Sequence, residues 1–143
     1  MDNRTWVLPV IGQQVLMQLR DDIPGILHPG QWGFFGGSVE PGEEILAGAF
    51  RELKEELGLC PPELHPLLRH ATPEYGLDAI IYSFACDLTV APQSLVLGEG
   101  MDFDLLTLED ILSGTKLSKR FGKAYPVIPR PYMEEVFRAA TGL

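Results

Sequence analysis

The run GGSVEPGEEILAGAFRELKEELGL at residues 36–59 constrains this chain more than any other part of it. Strong helix formers fill Glu44 to Leu57, Pro41 and Gly42 stand just before them, and Gly58 falls where a left-handed C-terminal cap belongs, so the segment predicts a helix. Pro61-Pro62 then blocks any continuation. At about 100° per residue, Glu56 lies roughly +40° and Glu55 roughly −60° from Glu52, which puts three carboxylates on one arc. Leu46, Ala49, Phe50, Leu53 and Leu57 form a separate stripe predicted to face a core. Gly48 falls inside the acidic arc, and the ~1 kcal/mol it costs in a helix interior is an argument for close approach by a ligand.

Glu52 and Glu56 are like charges at i and i+4, so they destabilise a bare helix, and a bound divalent cation reverses the sign. Carboxylates without thiolate or imidazole partners suit a hard ion, Mg²⁺ or Mn²⁺, rather than Zn²⁺. With 11 Lys+Arg against 20 Asp+Glu the net charge is −9, which argues against a nucleic-acid polymer as partner. A phosphate-bearing ligand would need the cation as a bridge.

The remaining pattern predicts one α/β domain over residues 1–143, close to the roughly 150 residues of an ordinary domain. Strands are predicted at Thr5–Ile11, Gln14–Leu19, Trp32–Phe35, His65–Ala71, Ala79–Val90 and Met101–Leu106. Arg20–Gln31 and Ser38–Gly42 are expected as loops, with Gly36-Gly37 ending the third strand. Thr107–Leu112 has the pattern of a capped short helix, and Pro131–Ala140 begins on Pro with Gly142 beyond its end. Strands interleaved with helices imply a mixed sheet covered on both faces. No 18-residue apolar span and no secretory leader is visible, so a cytoplasmic protein with no membrane partner is expected. Cys60 and Cys86 lack metal-ligand or disulfide spacing and are expected as small, partly buried hydrophobes. His28, His65 and His70 are scattered, and no serine has a nucleophile-elbow context.

Read outward, the helix extends to G-x5-E-x7-R-E-U-x-E-E-x-G-U with U apolar, carried by Gly37, Glu43, Arg51, Glu52, Leu53, Glu55, Glu56, Gly58 and Leu59. Chance would produce this on the order of once in ten million chains of this length. The pattern resembles the Nudix hydrolase family at every defining position. The resemblance implies an α/β/α sandwich with a mixed β-sheet and Mg²⁺- or Mn²⁺-dependent hydrolysis of a nucleoside diphosphate linked to another moiety, such as a nucleoside triphosphate or nucleotide sugar. It implies Glu52 and Glu56 as principal metal ligands, Glu55 as a further or water-mediated ligand, the Gly37 carbonyl as another contact, and Arg51 as the residue that orients carboxylates, Glu43 included. For the general base, Glu52 is the first choice and Glu99, in LGEGMDF, the second; Glu99 is also a candidate ligand. Trp32 with Gly36-Gly37 resembles the family's W-x-x-x-G-G entrance, which makes Trp32, Phe35 and Gly36 candidate substrate contacts. Pro129 stands where guanine-reading relatives carry Asn. The alternative is a catalytically silent nucleotide-binding or regulatory module of the same fold. Family precedent also admits a homodimer.

Overall fold

The computed structural model describes residues 3–71, 79–129 and 131–143. Strand β1 (Asn3–Ile11) turns at Gly12 into antiparallel β2 (Gln14–Leu19), whose other neighbours are β3 (Trp32–Gly33) and, further along the chain, β7 (Asp102–Leu106). At its N-terminal half β1 pairs antiparallel with β4 (Phe35–Ser38), from Arg4↔Ser38 to Val7↔Phe35. Its other edge runs parallel to β6 (Ile80–Asp87), which pairs antiparallel with β5 (His65–Ala71). The sheet is therefore mixed, as the α/β expectation had it.

Alternation along β1 divides the interior into two cores. Val7 joins Leu16, Phe35, Ala49, Leu53 and Leu57 beneath helix α1 (Ile45–Leu57), whereas Trp6 and Leu8 join Met17, Trp32 and the Met133, Val136 and Phe137 face of α3 (Pro131–Thr141). Between them in sequence, α2 (Leu108–Ser113) starts at a capping box: Asp110 N–H donates to Thr107 Oγ1 at 3.2 Å and Thr107 N–H to Asp110 Oδ2 at 2.9 Å. Gly58 closes α1 in the left-handed region, φ 67°, as its position predicted. No helix among the described residues is long and apolar enough to cross a membrane.

The structure departs from the sequence reading at four places. Leu46 belongs to the predicted stripe but is 44% exposed; Ile45 takes the partly buried place at that end of the helix. Trp32–Phe35 is two strands rather than one, and Gly36-Gly37 continues β4 instead of ending it. A hairpin of β8 (Thr115–Ser118) and β9 (Lys123–Pro126) was not predicted, because strands of four mixed residues carry no readable alternation. Both cysteines are free as expected, but Cys60 is exposed and only Cys86 is buried.

The stripe correction has a measurable outcome. Leu53→Ala, at a fully buried position, should cost about 2–5 kcal/mol in urea unfolding, whereas Leu46→Ala should stay within about 0.5 kcal/mol of the parent.

Candidate active site

The site is built where β4 passes under α1. Gly36 and Gly37 both have a steric reason. A Cβ on Gly36, whose φ is 150°, would run into the Thr5 carbonyl oxygen of β1, and one on Gly37 would come within 2.5 Å of Glu52 Oε1. The glycine pair thus lets the sheet, the helix and a carboxylate approach more closely than side chains would allow. Gly48 has a different explanation from the one its sequence position suggested: a Cβ there would meet Glu43 Oε1 at 3.0 Å and Val39 at 3.4 Å, so its neighbours are the chain's own.

Arg51 organises the acids. Its Nε donates to Glu43 Oε2 at 2.8 Å and its Nη2 to Glu43 Oε1 at 3.0 Å, a two-point pairing, while Nη2 also reaches the Ser38 carbonyl at 3.1 Å. Its Nη1 donates to Glu52 Oε1 at 3.1 Å and to Glu55 Oε2 at 3.3 Å. The hydrogen bonds that Glu43 accepts from Arg51 hold Glu43 down at about 2, and the same bonds raise Arg51 further above its ordinary range.

Glu56 is the opposite case. It is a glutamate only 2% exposed, and its Oε1 accepts the Gly36 N–H at 3.0 Å. Burial first, then the charges of Glu52 and Glu99, push its carboxyl up to about 9. Burial, first of all, also raises Glu52, its neighbour one turn away.

Glu99 is exposed on the loop following the 3-10 turn at Pro92–Ser94. That loop is tied to the C-terminal end of α1 by Gly98 N–H donating to the Glu56 carbonyl at 2.7 Å, and to β2 by Gln18 Nε2 donating to the Glu99 carbonyl at 2.8 Å. A Cβ on Gly98 would strike the Glu55 carbonyl, which gives this glycine its place. Glu52, Glu56 and Glu99 are thereby brought within electrostatic reach of one another, with Glu55 and Arg51 alongside.

Among the described residues no three carboxylate, imidazole or thiol side chains already stand together as a metal cage. Arg51 holds Glu52 and Glu55, and the raised Glu56 carboxyl lies a turn from Glu52. The donor set still fits a hard dication: all donors are oxygens, the buried carboxyl is one that a cation would favour in its charged form, and Mg²⁺ needs only one or two protein carboxylates beside waters and substrate phosphates.

The candidate substrate contacts divide. Gly36 lies on the cleft described below, but Trp32 and Phe35 are 0% exposed. Trp32 Nε1 donates to the Lys116 carbonyl at 3.0 Å, and Phe35 packs under α1. Neither ring has a face for a ligand, so the expectation that they contact substrate is corrected. The rings that border the site are Trp6 and Phe34, in a narrow cleft with Arg4, Arg20, Ile128 and Met133 that ends on Gly36 and Gly37. Arg20 also lines a hollow of about 120 Å³ with Gln18 and Glu99, so it stands between the cleft and the loop glutamate. Sequence reasoning missed these residues, although the alternation of Arg4, Trp6 and Leu8 on one face of β1 was there to be read.

A mixed sheet between helices, with a glutamate helix set over a glycine pair, defines the architecture of an acid-lined hydrolase site. The chain belongs to the Nudix family: the NUDIX domain model matches residues 2–130. A curated relative, the nucleoside triphosphatase NudI of Escherichia coli, is 48% identical over 61 residues, 41% of this chain and 42% of that protein. The chain spans about two fifths of the length of the curated relatives it matches. Among solved structures, the E. coli ORF135 protein superposes with TM-score 0.67 at 22% identity, covering 100% of this chain and 90% of that one. The DR0079 protein of Deinococcus radiodurans gives TM-score 0.69 at 17% identity over 97% and 82%. At such identities these structures establish the shared fold.

Glu43 and Glu56 act in separate pH windows. Glu43, lowered to about 2, contributes stability above about 4.5 that is lost as pH falls towards 2. Glu56 is raised, so the unfolded chain loses this proton near 4.5 while the folded one keeps it to about 9, and stability falls as pH rises between them. Thermal melts in EDTA should show Tm dropping from pH 5 to pH 8.5, and Glu56→Gln should flatten that slope.

Proposed function

We propose that this chain is a Mg²⁺- or Mn²⁺-dependent hydrolase of the phosphoanhydride in a nucleoside diphosphate linked to another moiety, with nucleoside triphosphates as its first substrate class. The observation that carries the reading is the buried Glu56 carboxyl, which accepts the Gly36 N–H on the same helix face as the Arg51-held Glu52. A carboxyl so placed is costly unless a cation replaces its proton. The partial likeness to a protein named a nucleoside triphosphatase supports the triphosphate over the nucleotide sugar.

Glu52 and Glu56 would hold the ion, helped by Glu55, Glu99 and the Gly37 carbonyl, and the ion would neutralise phosphate charge and acidify a bound water. The protein's own groups do the rest. Arg51 fixes Glu52 and Glu55 while its grip on Glu43 anchors it to the loop before α1. Arg4 and Arg20, at the mouth of the cleft, supply the cations that a polyphosphate needs on an otherwise acidic protein. Glu52, raised by its partial burial, accepts the proton of the attacking water at its carboxylate. Glu99 is the second candidate for that role, from the opposite rim.

The reading is tested by incubating the chain with nucleoside triphosphates, nucleotide sugars and dinucleoside polyphosphates in Mg²⁺ and identifying products by mass. Nucleoside triphosphates should be cleaved, and EDTA should abolish the cleavage. Glu56→Gln should retain its fold and lose at least about a hundredfold in kcat. Near-normal turnover in that variant, or turnover in EDTA, contradicts the reading. Glu52→Gln and Glu99→Gln separate the two base candidates: the base variant should lose the more and should lose the acidic limb of the pH–rate profile.

A further inference from the structure

Strand β2 carries one polar side chain through an apolar run. Val15, Leu16, Met17 and Leu19 are 0% exposed, and Gln18 among them is 4% exposed. Alternation puts Gln18 on the face of Leu16, which packs under α1, while Met17 and Leu19 belong to the core on the α3 side. Its cross-strand partner on β7, Phe103, also packs against the α1 core. Gln18 thus stands where the core beneath the glutamate helix gives way to the acidic site. A buried amide is costly unless it is hydrogen-bonded, and a methionine would fill the same space without that demand. What the amide adds is a long-range contact: Nε2 donates at 2.8 Å to the carbonyl of Glu99, 81 residues further along the chain.

The loop is shaped to keep that contact. Glu99 lies between two glycines, each pressed against a different element. Gly98 meets α1, where its N–H donates to the Glu56 carbonyl and an added Cβ would strike the Glu55 carbonyl. Gly100 meets β2: its φ is 97°, and a Cβ there would stand 2.9 Å from both Gln18 Cγ and the Leu19 carbonyl oxygen. Met101 N–H then donates to the same Leu19 carbonyl at 2.8 Å. The backbone at Glu99 is therefore clamped between helix and sheet, while the residue itself is exposed and lines the hollow it shares with Gln18 and Arg20. We propose that Gln18 is a positioning residue: its amide, acting through the Glu99 carbonyl, holds the Glu99 carboxylate where it adds to the grip of Glu52 and Glu56 on a divalent cation. The proposal rests on the metal-dependent reading of the same site and adds the residue that sets where Glu99 stands.

Mn²⁺ alone is the probe, so the measurement needs no turnover. Calorimetric titration of the metal-free chain gives the Kd for Mn²⁺ of the parent, of Gln18→Met, of Glu99→Gln and of the double variant. Gln18→Met keeps the volume and removes the donor. It should weaken Mn²⁺ binding by about 10-fold, the lower end of what partners that orient a metal's ligands contribute, and Glu99→Gln should weaken it at least as much. With Glu99 already replaced, Gln18→Met should add less than about twofold, because it has no carboxylate left to position. Gly100→Ala, which pushes the loop off Gln18 from outside the core, should show the same loss and the same dependence on Glu99; it carries the test should Gln18→Met melt early in EDTA. A parent-like Kd in Gln18→Met and Gly100→Ala beside a weakened Glu99→Gln, or equal losses with Glu99 present and replaced, overturns the positioning role and leaves the proposed function standing. A parent-like Kd in Glu99→Gln overturns it as well, since there is then no ligand to place. A parent chain that binds no Mn²⁺ removes the proposed function, and the role of Gln18 goes with it.

Discussion

The structure turns on one unfavourable contact, the burial of Glu56 against Glu52. Two carboxyls stand on adjacent turns of α1, and the one that is 2% exposed is pushed by burial first, then by its neighbour's charge, up to about 9. Every nearby feature is arranged around that contact. The Gly36 N–H offers Glu56 a donor, Gly37 gives up its side chain so that Glu52 can stand over β4, and Arg51 balances the charge that remains. On a protein of net charge −9, Glu56 is the one acidic residue buried among those described, and it is buried beside further carboxylates rather than beside a cation of the chain.

The scaffold supplies rigidity where that affinity needs it. β1 carries the load by pairing on both edges, parallel to β6 and antiparallel to β4, while its alternating side chains anchor the two cores. Its pairing with β4 fixes the glycines, its packing under α1 fixes the glutamates, and its opposite face presents Arg4 and Trp6 to the cleft. The loop through Glu99 closes the arrangement from a third direction, pinned by backbone hydrogen bonds rather than by its own side chain.

Much of this was legible in the residues. The helix, its cap at Gly58 and its acidic arc follow from spacing, the partnership of Arg51 with Glu43 was implied by the family resemblance, and Asp110 completes the cap at Thr107 as the pattern implied. What was not legible depended on contacts between segments distant in sequence. Helical periodicity alone could not tell that Leu46 lies beyond the edge of the sheet, or that Gly48 makes room for Glu43. Trp32 and Phe35 sit beside the glycine pair in sequence, but the switch from β3 to β4 turns both into the cores and leaves Phe34 at the cleft.

The central claim is that a cation takes the place of the Glu56 proton. Calorimetric titration of the metal-free chain with Mn²⁺ at pH 7, repeated in buffers of different ionisation enthalpy, measures the protons released on binding. The account predicts saturable binding with about one proton released per chain, and a release close to zero in Glu56→Gln. Binding that releases no proton from the parent chain, or the same release with Glu56 replaced, would contradict it.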